Sequence, residues 1–444
     1  MKKYISLFLT AAVLLSVSGC AESSALTVNS TEDRASSYAE AVKGASDGAP
    51  TTTAVAGGAL ADVAGDYEYA AEDGFIGEFA ADISGSVMEA PSFAADDCII
   101  APEPETDAPD IQPQAGLLTG GEWNDNLHWN DWISLYQTHE EWNDYRSLWE
   151  ITAENRCEIS VTANGEPVEG AKVSANAEGI TAAVTDNRGK AYLFFENADT
   201  TGEITVQYGG NEYSQPFDKA AGSIDFELSD TDIKSSKALD LMLMIDTTGS
   251  MWDELAYLQA ELEDVITQVK NDNGNIPVRV SVNFYRDEYD DYIIREFEFT
   301  EDINSVIDTI RAQNAEGGGD TPEAVHTALA SAVKEHEWND NATKLMFFVL
   351  DAPPHDDSQI IGQVNSLVSD AAEEGIRIIP VASSGIDKST EYLLRTMAFS
   401  TGGTYTFLTN DSGIGGDHIE PTIGEYEVEK LNVMMVRIIN SYLE

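Results

Sequence analysis

Three short segments carry oxygen donors at spacings that could surround a hard cation. Asp246-Thr247-Thr248-Gly249-Ser250 places a carboxylate and two hydroxyls at alternate positions. In a turn leading from a strand into a helix, Asp246, Thr248 and Ser250 converge on one point. Gly317-Gly318-Gly319-Asp320-Thr321-Pro322-Glu323 offers a second loop. Its glycines let the backbone approach closely, and Pro322 suits a first helical turn. Asp351 adds a carboxylate at the end of the apolar run from Leu345 to Leu350. Carboxylates, hydroxyls and water form an all-oxygen shell, which fits Mg²⁺ first and Ca²⁺ or Mn²⁺ next. Mg²⁺ usually keeps several waters, so a partner's carboxylate could complete such a shell. That is binding through a shared ion, and it needs no nucleophile or general base.

Other readings compete for the same residues. An Asp that follows a strand often only caps the next helix. Ser250, His326, His355 and the many carboxylates could be assembled into a hydrolase, but the chain has no His-Glu-x-x-His zinc motif. A third reading is an envelope scaffold in which the metal only stabilises the fold. His355 with Asp356 and Asp357 is either a second metal site or a solvated loop. Arg286 and Asp287 are expected to pair with each other or with the edge of the metal loop.

The flanking elements bring the three loops together. Leu239 to Ile245 is a continuous apolar run, as in a strand buried on both faces. Trp252 to Val269 has helical periodicity, Val278 to Phe284 and Tyr292 to Phe299 read as strands, and Ile303 to Ala312 and Thr321 to His336 as helices. Strand Leu345 to Leu350, helix Ile360 to Glu374, strand Ile376 to Val381, helix Ser389 to Phe399, strand Thr404 to Leu408 and helix Val428 to Leu443 complete the order. This alternation predicts an α/β fold with a doubly wound, mostly parallel sheet, whose ligands bind beyond the carboxyl ends of the strands.

Asp246-x-Thr248-x-Ser250, a later threonine and Asp351, set on that order of elements, resemble the metal-ion-dependent adhesion site of von Willebrand factor A domains. The resemblance covers residues 236–444. It implies that Asp246, Thr248 and Ser250 are first-loop ligands, Thr321 the second-loop ligand and Asp351 the third-loop carboxylate. It also implies one divalent ion, a protein ligand and no catalysis. Thr248 stands where serine is commoner and keeps the hydroxyl. The second loop is similar to a subgroup with Asp there, so Asp320 and Thr321 are both candidates to face the metal. Tyr285-Arg286-Asp287 and Asp351-Ala352-Pro353-Pro354-His355 also look like that bacterial and alpha-kinase-associated subgroup, although this chain contains no kinase domain.

The remaining sequence suggests how such a site is presented. Met1-Lys2-Lys3 followed by apolar Tyr4 to Val17 reads as a secretory signal over residues 1–19. Val17-Ser18-Gly19-Cys20 resembles the bacterial lipobox, which implies a lipidated Cys20, a membrane anchor and an extracytoplasmic location. Residues 20–114 are poor in Lys and Arg and without sustained periodicity, and read as a disordered acidic tether. Residues 115–152 hold three Trp-Asn-Asp triplets and read as a helical connector, its aromatics either packed or forming a binding surface. Residues 153–230 alternate in short runs between turn signals and predict a small all-β sandwich. Pro167-Val168-Glu169-Gly170-Ala171 and Thr185-Asp186-Asn187-Arg188-Gly189 there resemble carboxypeptidase regulatory-like modules. Cys98 and Cys157 could pair in an exported protein, but spacing alone does not establish it. The net charge of −55 disfavours nucleic acid and suits divalent cations or cationic partners.

Overall fold

A computed structural model describes residues 112–151, 154–218, 222–229, 231–233, 238–319 and 321–444. The signal segment, Cys20, Cys98, the tether to residue 111 and Asp320 lie outside the described residues.

The described chain opens with strand β1 (Thr119–Trp123) and helices α1 (Trp129–Thr138) and α2 (Glu141–Trp149). Nine short strands follow: β2 (Asn155–Ala163), β3 (Glu166–Pro167), β4 (Lys172–Ala175), β5 (Gly179–Ile180), β6 (Ala182–Val184), β7 (Lys190–Phe195), β8 (Thr201–Tyr208), β9 (Asn211–Asp218) and β10 (Ser223–Leu228). They form two sheets, β10-β2-β7-β5 with β3 beside β2, and β6-β4-β8-β9. Alternate residues face inward. Ile159, Leu193 and Phe226 of one sheet share an apolar core with Val173, Ile204 and Val206 of the other, which makes a sandwich. Cys157 belongs to this core, and burial pushes its thiol up to about 11.

The rest is α/β: β11 (Leu239–Asp246), α3 (Leu255–Asp272), β12 (Val278–Tyr285), β13 (Ile294–Arg295), α4 (Ile303–Arg311), α5 (Val325–Ala330), β14 (Thr343–Leu350), α6 (Ser358–Glu374), β15 (Ile376–Ala382), α7 (Lys388–Ser400), β16 (Tyr405–Leu408), β17 (Glu429–Lys430) and α8 (Leu431–Ser441). The sheet order is β13-β12-β11-β14-β15-β16-β1-β17. The five strands from β12 to β16 run parallel, and β13, β1 and β17 run antiparallel to their neighbours. Each central strand feeds two cores. Met242 and Met244 of β11 join Met346 and Phe348 of β14 on the side covered by α5, α6 and α7. Leu241, Leu243 and Ile245 join Leu345, Phe347 and Val349 on the side covered by α3, α4 and α8. This is the expected doubly wound arrangement.

Three elements depart from expectation. Thr119–Trp123 is a strand of the main sheet and not part of a helical connector. Tyr292 to Phe299 pairs only at Ile294–Arg295, because buried side chains replace the ladder further on: Ser281 Oγ donates to Phe297 O at 2.7 Å, and Phe297 N donates to Asn283 Oδ1 at 2.8 Å. The helix expected from Thr321 begins at Val325, since Thr321 precedes a proline and Glu323 N bonds Pro353 O at 2.9 Å. The tryptophans of this amino-terminal segment are largely core. Trp123, Trp132, Trp142 and Trp149 are buried, and Trp132 packs on Tyr392 and Phe399 of α7.

The sandwich docks at the amino ends of the sheet strands. Glu169 accepts from Thr343 Oγ1 at 3.1 Å, and Asn187 Nδ2 donates to Ser441 O at 2.9 Å. The carboxyl ends, where the three loops lie, are on the opposite edge. Among the described residues no helix is long and apolar enough to cross a membrane.

Candidate functional site

Asp246 closes β11 with no exposed surface. Its Oδ1 accepts from Thr248 N at 2.8 Å and from Thr248 Oγ1 at 2.6 Å, and that hydroxyl lies 3.1 Å from Ser250 Oγ. The turn-capping reading therefore accounts for one carboxylate oxygen. Oδ2 is buried without a well-aligned hydrogen bond, and so is the hydroxyl of Tyr285 beside it.

The second loop is pinned to the first through backbone. Gly249 N donates to Gly317 O at 3.1 Å, and Glu316 N to Thr247 O at 3.1 Å. Arg286 braces both loops, donating to Thr247 O at 3.1 Å and Asn314 O at 2.9 Å. It engages the loop edge, and Asp287 pairs instead with His355 Nε2 at 2.9 Å. Gly317 has φ +80°, and a Cβ there would sit 2.3 Å from Asp290 Oδ1, so only glycine fits. Asp290 in turn accepts from Gly318 N at 3.0 and 2.9 Å.

Asp351 follows β14 and is 7% exposed. The Ser250 hydroxyl donates toward it, while its Oδ1 is buried without a partner. Ser250, Thr321 and Asp351 line one open cleft of about 370 Å³ together with Asp253 and Asp417. The three loops thus meet at the carboxyl edge, with Thr321 on the cleft wall.

Glu323 ends the second loop in the sequence, where nothing about its type or spacing assigns it to the site. It is 2% exposed, and its Oε2 has no hydrogen-bond partner. A Cβ on Gly318 would lie 3.4 Å from both Glu323 Oε1 and Thr248 Cβ, which puts this carboxylate beside the first loop. An acidic residue early in a helix is ordinary on dipole grounds, so its type and position carried no special signal. Glu323 lies before the helix begins, held by its backbone bond to Pro353 O.

Burial above all pushes Glu323 up to about 9, with Asp246, Asp287, Asp351 and Asp290 adding to the rise. Burial likewise raises Asp246 to about 6, and burial with the neighbouring Asp246 raises Asp351 to about 7. Among the described residues no Lys or Arg forms an ion pair with any of the three. Buried carboxylates without basic partners must hold protons or a cation. Among the described residues no three His, Cys, Asp or Glu side chains close on a common metal position. A cation here would therefore draw on hydroxyls and water as well as carboxylates, a donor set that suits Mg²⁺.

The neighbouring acids and histidines have structural partners. Asp357 caps α6, accepting from Gln359 N at 3.1 Å and Ile360 N at 3.2 Å. His326 Nε2 lies 3.7 Å from Glu288 Oε1. The Ser250 hydroxyl meets Thr248 and Asp351, and neither histidine is its partner.

Residues 240–417 match the family model described as the von Willebrand factor A domain. The match runs from β11 to the loop lining the cleft, and it supports a protein that contains such a domain. The mainly parallel sheet is consistent with that fold. The chain is also 31% identical over 137 residues to a putative ariadne-like RING finger protein of Acanthamoeba polyphaga mimivirus. That alignment covers 29% of this chain and 13% of the viral protein, so the chain spans a small part of its relative's length.

Proposed function

We propose that this chain is an exported lipoprotein whose von Willebrand factor A domain binds a partner protein through one divalent cation. A domain of this family suggests protein–protein interaction or adhesion. In this reading Asp246, Thr248, Ser250, Thr321 and Asp351 hold the ion directly or through water, Glu323 supports them, and Asp320 stays a candidate. Mg²⁺ is the first choice, with Ca²⁺ or Mn²⁺ as alternatives. The observation that carries it is the presence on adjoining loops of three buried carboxylates, Asp246, Asp351 and Glu323, each with one oxygen lacking a well-aligned hydrogen bond and none in an ion pair with a Lys or Arg among the described residues. The bound ion would supply an open coordination position for a carboxylate of the partner. Ser250 and Thr321 stand exposed at the mouth, which supports a ligand-facing site over an internal scaffold ion. The ion is a bridge in this reading and catalyses nothing.

Lipidated Cys20 would anchor the chain to the membrane, and the sandwich would serve as a carboxypeptidase regulatory-like spacer or accessory module. Fatty-acid labelling of the wild type but not of Cys20→Ser tests the anchor. The function is tested by capturing partners from the native surface with wild type and Asp246→Ala, each with and without EDTA. Recovery lost in every condition but metal-loaded wild type is expected. Equal recovery in all four sinks the ion bridge. Loss of Mg²⁺ binding in Asp246→Ala with unchanged capture would favour the scaffold reading.

A further inference from the structure

The face that carries the cleft is built from the loops 248–254, 286–292, 316–323, 351–357 and 410–418. Together they contain a single Lys or Arg, Arg286, which is buried and occupied by two backbone carbonyls. Glu288, Asp291, Glu316, Asp356, Asp357 and Asp417 are exposed on the same loops. One divalent ion leaves this surface strongly negative, so a partner whose only offering was an acidic segment would be repelled.

Trp252 lies two residues past Ser250 and is 74% exposed. A large apolar side chain left in water beside a binding site is a typical interface anchor. In an acidic field its indole face attracts a cation more than an apolar group, since tryptophan is the best cation–π acceptor. The cleft walled by Ser250, Thr321 and Asp351, whose Oδ1 has no hydrogen-bond partner, marks where the ligating group arrives. The cleft, about 370 Å³, is small enough that the ligating residue's neighbours in the partner lie across this rim.

We infer that the partner presents its ligating carboxylate within a basic surface segment, with a flanking Lys or Arg side chain stacked on Trp252. This rests on the ion bridge proposed above. It adds what that reading does not give, which is the chemistry of the partner around the carboxylate.

The test is fluorescence polarisation of the full chain with three labelled heptapeptides. One has an aspartate flanked on each side by two lysines, the second has glutamines for the lysines, and the third keeps the lysines but has asparagine for the aspartate. In Mg²⁺ the lysine–aspartate peptide should bind about tenfold more tightly than either of the others. Trp252→Ala should weaken the lysine–aspartate peptide by about fivefold, leave the glutamine peptide unchanged and leave Mg²⁺ affinity intact by calorimetry. Equal binding of lysine and glutamine peptides, with aspartate still preferred over asparagine, overturns this inference and leaves the bridge standing. Indifference of the lysine peptide to Trp252→Ala, or its failure to bind at about 1 mM, also overturns it. Equal binding of aspartate and asparagine peptides, with Mg²⁺ or EDTA, overturns the bridge and this inference with it.

Discussion

Asp246, Asp351 and Glu323 share one physical problem, which is that folding removes them from water without giving them a basic partner. Their values rise from 3.8, 3.8 and 4.5 to about 6, 7 and 9. An acid with a raised folded-state value binds more protons folded than unfolded. The stability it allows is therefore complete below the unfolded value and is lost as pH rises through the folded one. For the metal-free protein this predicts a melting temperature that falls from about pH 4 to about pH 9, steadily rather than in one step. Glu323→Gln should flatten the part of that fall above pH 7, where Glu323 is the group still titrating. Calorimetry of EDTA-treated wild type and variant measures both, and a pH profile that the substitution does not alter would refute the assignment of Glu323 to this cluster. A cation competes with those protons, so Mg²⁺ should raise the melting temperature more at pH 8 than at pH 5. Saturation to about one hundred times the dissociation constant adds ~2.7 kcal/mol. The variant should also bind Mg²⁺ about tenfold more weakly, a loss within the range that supporting partners of a metal site carry.

Helix α3 links the metal loop to the start of the described chain. Its Glu261 is fully buried, and the carboxylate accepts from the backbone N–H groups of Gly116, Leu117 and Leu118 at 2.8, 2.9 and 2.9 Å. Burial raises this carboxyl, and the three N–H donors pull it back down. Glu261→Ala would leave those donors without an acceptor, at about 1–3 kcal/mol for each that stays buried. The expected result is a loss of at least ~2 kcal/mol in denaturant unfolding and faster amide exchange over residues 116–123, with Glu261→Gln milder because one oxygen still accepts. An alanine variant as stable as wild type would show that the segment rearranges freely. The segment it holds, β1, is also the strand that sequence reasoning did not find. Thr119-Gly120-Gly121-Glu122-Trp123 has no side chains at its centre, so it has no hydrophobic alternation to read. Gly121 is required for packing, since a Cβ there would sit 2.5 Å from Phe407 Cζ of the neighbouring strand. By contrast β11 and β14 were legible because both faces are buried and every position had to be apolar or nearly so. The first-loop residues were legible for a related reason: their converging hydrogen bonds are local, between residues two apart. Glu323 was not, because its placement depends on a backbone bond to Pro353, distant in sequence.

Across the whole molecule, the match to residues 240–417 understates what the α/β body needs in order to fold. β1 lies between β16 and β17 in the main sheet, and α1 and α2 supply Trp132 and Trp142 to its larger core. The sandwich strands fall between α2 and β11 in sequence, so they interrupt one folding unit. The clearest tie is Arg395 on α7, which is 1% exposed and stacks near Trp132 and Trp142 at 4.9 and 5.5 Å. Its guanidinium grips Asp125 at 3.0 and 2.6 Å and reaches Glu391 at 3.1 Å. A chain beginning at residue 238 loses Asp125, both tryptophans and the strand that covers β16. Removing one partner of a buried ion pair costs about 3–5 kcal/mol, against a total stability of about 5–15 kcal/mol for a typical domain. The uncovered β16 also offers a free edge for pairing between molecules. We therefore expect 238–444 to aggregate on expression, while 112–444 is monomeric with sharp near-ultraviolet dichroism from its ordered tryptophans. Asp125→Ala in the longer chain isolates the ion-pair share, since it should melt lower yet remain monomeric. A soluble, cooperatively folding 238–444 would show that the amino-terminal segment decorates the domain and does not complete it.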